Sequence, residues 1–291
     1  MSFVSHRRVI GTAPGRPFRA LGSAMGYVMG YVMGIATRYA ATYVVVSTVL
    51  CATVGIGEAR AQGVPPATTT APALPRRIVP GDTSLRGARL CADTLVYALT
   101  GFRDGDEIPV GTITDILARE EGDAPRLRRT MSVQRGQSRL LDSTVTDMQT
   151  LAPRMHFSVQ PQRQLRIEFT GSRVRGTIGP VDAPGVAIDT TLRSPVFDSG
   201  NWDLVVRAMP LAPGFAAVFR VYDLETGMHD YIVRVIGSTP MHGEPAHIVL
   251  FQLGGQMEIT VWIGETTRRL LQVETPLGPT TILRQTLRVP R

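Results

Sequence analysis

From Leu90 onward, apolar and polar residues alternate in short runs separated by turn residues. Leu165, Ile167 and Phe169 alternate with Arg166 and Glu168, and Thr170-Gly171-Ser172 then turns the chain into Arg173 to Ile178. A period of two is the signature of strands with one wet face and one core face. LCADTLVYALTG and IPVGTITDILARE flank the turn Arg103 to Glu107 and predict a hairpin. RLRRTMSV, SRLLDSTVTDMQ and MHFSVQ follow, with breaks at Pro153 and Pro161. Beyond residue 214 come GFAAVFRVYDLETGM, HDYIVRVIG, PAHIVLFQLGG, QMEITVWIG, RRLLQVETPLG and PTTILRQTLR, joined by short glycine-containing turns.

One stretch breaks the period. Between Ser194 and Gly214, Trp202, Val205, Val206 and Met209 fall at i, i+3, i+4 and i+7, an apolar stripe on a helix. Asp198 and Ser199 are good N-cap residues, and Pro210 stops the helix. Asp198 and Asp203 lie toward the positive N-terminal end and Arg207 toward the negative C-terminal end, in agreement with the helix dipole. The pattern predicts a mainly β fold: a curved antiparallel β-meander, open or half-barrel, of about ten strands, with this one amphipathic helix packed on it. An outer-membrane barrel is the rival architecture, but aromatics are only 6% of the residues, too few for two girdles.

The N-terminal part has a different composition. Tyr39 to Ile56 is apolar and uncharged, follows Arg38, and is succeeded by the small-x-small site Ala59-Arg60-Ala61. The arrangement predicts a signal peptide over 1–61, cleaved after Ala61, with the true start at Met1 or Met33 and a periplasmic or secreted product. No transmembrane segment is expected after cleavage. Residues 62–86, rich in Pro, Thr and Ala, read as a flexible linker, and 87–291 as a single antiparallel β domain.

Removing the leader changes the charge picture. The chain has no lysine; its net charge of +7 includes six arginines and one glutamate before Gln62, so 25 Arg stand against 23 Asp and Glu thereafter. Without a clustered basic patch, a nucleic-acid partner is excluded, and Arg126, Arg128 and Arg129 are expected on solvated strand faces. Cys91, the sole cysteine beyond the leader, cannot form an intramolecular disulfide and is expected to be a buried small hydrophobe.

Motifs for chemistry are sparse. His242, Glu244 and His247 are the one cluster of metal-ligand types, weak because Gly243 and Pro245 make the stretch a turn; His229 and Asp230 could approach it across a hairpin. Asp198-Ser199-Gly200 after Val196-Phe197 matches the aspartic-protease string, with Val235-Ile236-Gly237 as a later companion. That chemistry needs two carboxylates sharing a proton, and the capping role explains Asp198 better. No nucleophilic triad, Walker or dinucleotide fingerprint is present, so neither catalytic residues nor cofactors are expected. Trp262 shares a strand face with Glu258 and Thr260 rather than with Met257, Ile259, Val261 and Ile263. With Trp202 it is a weak candidate for lining an apolar ligand site.

The order FDSGNWDLVVRAMPLAPG, a strand ending RVIGST, GEPAHIVLFQL and EITVWIGETTRRLLQVETPLG resembles the exported bacterial family catalogued as domain of unknown function 3108. The shared features are an Asp-Ser helix closing in Pro-Leu-x-x-Gly, and a Trp262-Ile263 strand leading to Arg269-Leu270; the glycine-glutamate signature is loosely matched at Gly243-Glu244. The resemblance spans about Leu90 to Arg288. It implies a curved sheet wrapped on a helix, similar to the envelope lipoprotein carriers, and it implies no catalytic residues. The expected function is non-catalytic binding or scaffolding in the cell envelope, with an apolar or lipid ligand on the concave face. The alternative is a filled core and an envelope protein partner.

Overall fold

The computed structural model describes residues 75–223, 226–254 and 257–289. The expected leader and the linker up to residue 74 lie outside them. The first half of the chain forms β1 (Arg76–Ile78), β2 (Asp93–Arg103), β3 (Asp106–Glu120), β4 (Arg126–Arg135), β5 (Ser138–Asp147), β6 (Pro153–Val159), β7 (Gln164–Thr170), β8 (Arg173–Gly179) and β9 (Val186–Thr191). After β10 (Phe197–Asp198), a 3-10 turn over Ser199–Asn201 leads into helix α1 (Trp202–Ala208). The rest is β11 (Ala216–Asp223), β12 (Gly227–Met241), β13 (Glu244–Leu253), β14 (Met257–Gly264), β15 (Leu270–Gly278) and β16 (Thr281–Leu287).

All sixteen described strands belong to one sheet. Two antiparallel meanders, β2 to β9 and β11 to β16, are joined where β16 pairs with β2, placing Leu287 opposite Tyr97 and Arg284 opposite Thr100. The fold class is as expected, with more strands than expected. Strands β1 and β10 are too short to show a period, and both lie parallel to β11 instead of continuing a meander.

The sheet curls until its ends approach. Phe169 of β7 meets Tyr222 of β11 edge-on, ring centroids 6.3 Å apart. The inward face carries the core, including Leu95, Tyr97, Ile113, Leu127, Phe219, Val233, Phe251, Val261 and Val273. Leu165, Ile167, Phe169 and Val174 form a smaller cluster with Leu192 and Val196.

Helix α1 departs from the expected arrangement. Instead of resting one apolar stripe on the sheet, it has every residue from Asp203 to Ala208 buried, charged ones included. Leu204, Val205 and Val206 are each at most 1% exposed, and burial of such a side chain stabilises by about 1.5–3 kcal/mol. Trp202 is half-buried and stacks on Phe251 at 4.6 Å.

Two further expectations are corrected. Part of the stretch read as linker belongs to the fold: β1 pairs with Ala217 to Phe219, Ile78 and Leu85 are buried, and the Arg86 N–H donates to the Ala208 carbonyl at 3.0 Å. Among its described residues only two buried apolar side chains anchor it, too few to register against its Pro and Thr. Cys91 is exposed rather than buried, because it precedes β2 beside exposed Ala92.

Candidate functional site: a buried ionic seam

On the inward face of β3, β4 and β5, charged residues stand in phase with apolar ones. Asp115 lies between Ile113 and Leu117, Arg129 between Leu127 and Met131, and Asp142 two residues after Leu140. On β6 the inward residues are His156 and Ser158. Register brings these positions side by side: Arg129 is opposite Thr144, Thr144 opposite His156, and Asp142 opposite Ser158. The polar patch they form faces Asp198 to Asp203, the segment that starts the helix.

His156 is completely buried between two carboxylates. Its Nδ1 is 2.9 Å from both oxygens of Asp198, and its Nε2 is 3.1 Å from Asp142 Oδ1. With both carboxylates ionised, only the imidazolium has the two N–H donors that satisfy both contacts together. Burial pulls the His156 pKa down, but the Asp198 charge and the hydrogen bonds to Asp142 and Asp198 outweigh it and push it up to about 10. Burial holds the Asp142 carboxyl above its ordinary value despite the hydrogen bond from His156. Gly200 sits on the ring: a Cβ there would be 2.7 Å from His156 Cε1, so the close approach requires glycine.

Arg129 organises the neighbouring part. Its Nε and Nη2 donate to the two oxygens of Asp115, each at 2.8 Å, and its Nη1 donates to Asp203 Oδ1 at 2.6 Å and to the Gly200 carbonyl at 3.2 Å. Burial works against its charge, yet Asp115 and Asp203 hold its pKa well above the ordinary value. Asp203 also lies 3.5 Å from Arg207 one turn on, and Arg207 Nε donates to the Arg268 carbonyl at 2.6 Å. Thr144 donates to Asn201 Oδ1 at 2.8 Å, and Ser199 to Asp223 at 3.2 Å. A cleft lined by Arg129, Met131, Asp142, Thr144 and Gly200 has room on the order of one water.

Chemically the seam is suited to holding rather than reacting. Both imidazole nitrogens face carboxylates, and the Ser199 hydroxyl is directed at Asp223. Asp198 caps the 3-10 turn by accepting from the Gly200 N–H at 3.0 Å, the capping role read from the sequence. It shares an imidazolium with Asp142, not a proton as aspartic proteases require. Val235-Ile236-Gly237 lies at a register shift in the β12–β13 pairing, with Ile236 exposed.

The other candidate residues are dispersed. His242 is exposed at the β12–β13 turn, Glu244 accepts from the Thr267 hydroxyl at 2.7 Å, and His247 is buried 3.6 Å from Glu265. His229 cannot join them across a hairpin: it faces Val221 near the far end of β12, about 40 Å from His242 at a strand's rise per residue. Asp230 is taken by Arg220. Trp202 lies inside the curl, whereas Trp262 is opposite Ile248 and, by alternation, on the other face from Val261 and Phe251.

Asp115, Asp142 and His156 were not singled out by sequence, and Asp203 was read only as agreeing with the helix dipole. For Arg129 the expectation of a solvated face is overturned, since it is 7% exposed while Arg126 and Arg128 are exposed. The signal was the phase: Leu127, Arg129, Met131 and Val133 occupy one strand face, so an inward charge was implied and with it buried partners.

These features define a mainly β protein: one open, strongly curled sheet closed over a buried helix by ion pairs. The chain belongs to the family described as protein of unknown function (DUF3108), whose model matches residues 96–285, from β2 through β16 and including the whole seam. None of the curated proteins compared with the chain matches it.

Proposed function

We propose that this protein is an exported, non-catalytic binding or scaffolding protein of the cell envelope that works through its surface on another envelope protein. Export is supported by the apolar run Tyr39 to Ile56 ahead of Ala59-Arg60-Ala61. The observation that carries the choice of a protein partner over an apolar ligand is the filled interior. Leu204, Val205, Val206 and Met209 occupy the inside of the curl, and Trp202 stacks into the cluster of Phe219, Tyr231 and Phe251. A carrier needs that space for an acyl chain.

The surface offered to a partner is the edge of β9, which pairs only with β8 among the described strands and carries Val186, 71% exposed. An unpaired edge accepts a further strand through its free backbone groups. Organic extraction and mass spectrometry of the purified protein test the choice, together with tryptophan fluorescence during titration with phospholipid vesicles. The expected results are no co-purified lipid and no saturable shift. Captured envelope protein should be lost on Val186→Asp. Bound lipid, with a shift removed by Trp202→Phe and kept in Trp262→Phe, would restore the carrier reading.

A further inference from the structure

The two ends of the curled sheet meet without a ladder. Strand β9 pairs with β8, β10 pairs with β11, and among the described strands no pairing joins the β6–β9 end to β10. Side chains bridge the gap instead. These are His156 with Asp198, Arg129 with Asp203 and the Gly200 carbonyl, Thr144 with Asn201, and Phe169 with Tyr222. All but the last are buried or part-buried polar contacts made to the single segment Asp198–Asp203.

We propose that this seam is a conformational latch with the His156 imidazolium as its bolt: neutralising the ring releases the segment Phe197 to Met209 from β4, β5 and β6 as a local unit. The physical reason is the count of donors. A neutral imidazole has one N–H, so one of its two carboxylates, Asp142 from β5 or Asp198 from β10, would face a lone pair at about 3 Å. The surrounding charges are Asp115 on β3, Arg129 on β4, Asp203 on α1 and, through Ser199, Asp223 on β11. The antiparallel ladders of β11 to β16 and β2 to β4 do not pass through this group and remain closed.

The composition makes the latch addressable by alkali. The chain contains no lysine, and burial raises the phenols of Tyr97, Tyr222 and Tyr231. His156 is pushed up to about 10 from its ordinary 6.5, so its contribution is complete below 6.5 and is lost as pH rises through about 10.

Hydrogen exchange read by mass spectrometry tests this on protein purified from its producing cells, with Cys91→Ser to remove the exposed thiol. Between pH 7 and pH 10, corrected for intrinsic rates, protection of residues 197–209 should fall by roughly a hundredfold or more, while β12 to β15 keep theirs. In His156→Gln the same segment should be poorly protected at both pH values, with no further alkaline loss. If that variant does not fold, the unsubstituted pair of measurements decides alone. Unchanged protection at 197–209 up to pH 10.5, or loss shared equally by the whole sheet, would overturn the latch.

Discussion

Arg129 is the residue on which most of the seam's electrostatics converges. Replacing it with Met would leave Asp115 and Asp203 buried without their partner, and stability to urea should fall by about 3–5 kcal/mol. Adding Asp115→Leu should restore part of that loss, because one unpaired charge is then removed. Gly200→Ala tests the contact with the imidazole: the new Cβ would overlap His156 Cε1, at a cost of about 1–3 kcal/mol in the same assay. Gly237→Ala, where a Cβ meets nothing within 4 Å, is the control and should stay within about 0.5 kcal/mol.

At the scale of the element, α1 is only seven residues long, and a helix of that length is not stable alone. It forms because Asp198 caps the preceding turn, Pro210 ends it, and the curled sheet buries Leu204, Val205 and Val206 in its apolar cluster while Arg129 pairs with Asp203. The peptide Ser194 to Gly214 should therefore show no helix by circular dichroism. Asp198→Asn removes both the cap's charge and one side of the His156 clamp. The loss should exceed the 0.5–2 kcal/mol or so of an ordinary cap, and the His156 titration followed by NMR should move below 10.

For the whole molecule, one sheet wound on a buried helix leaves its edges as the places to add something. If the chain is exported as its N-terminal pattern predicts, intact-mass measurement on protein from the envelope fraction should give a species beginning at Gln62. A product retaining residues before Ala61 would indicate an anchored form instead. The protein should also purify without detergent, since the main apolar cluster is buried inside the curl while outward positions on β7 and β8, such as Arg166, Glu168 and Arg175, are polar and exposed.

The alternation of side chains along each strand was enough to establish a mainly β fold, because a half-buried sheet imposes a period of two on its own sequence. The cap at Asp198 and the stop at Pro210 were equally legible, since both act within a few residues of chain. Strands β1 and β10 were not, being two or three residues held by β11 from far along the sequence. The seam was half legible: Arg129 and Asp115 stood in phase with apolar neighbours, which implied that they turn inward. Which charge each would meet depended on curvature. Only the closing of the sheet brings His156, Asp142 and Asp198 within hydrogen-bonding distance, and the two carboxylates, against the cost of burial, keep the histidine a cation at neutral pH.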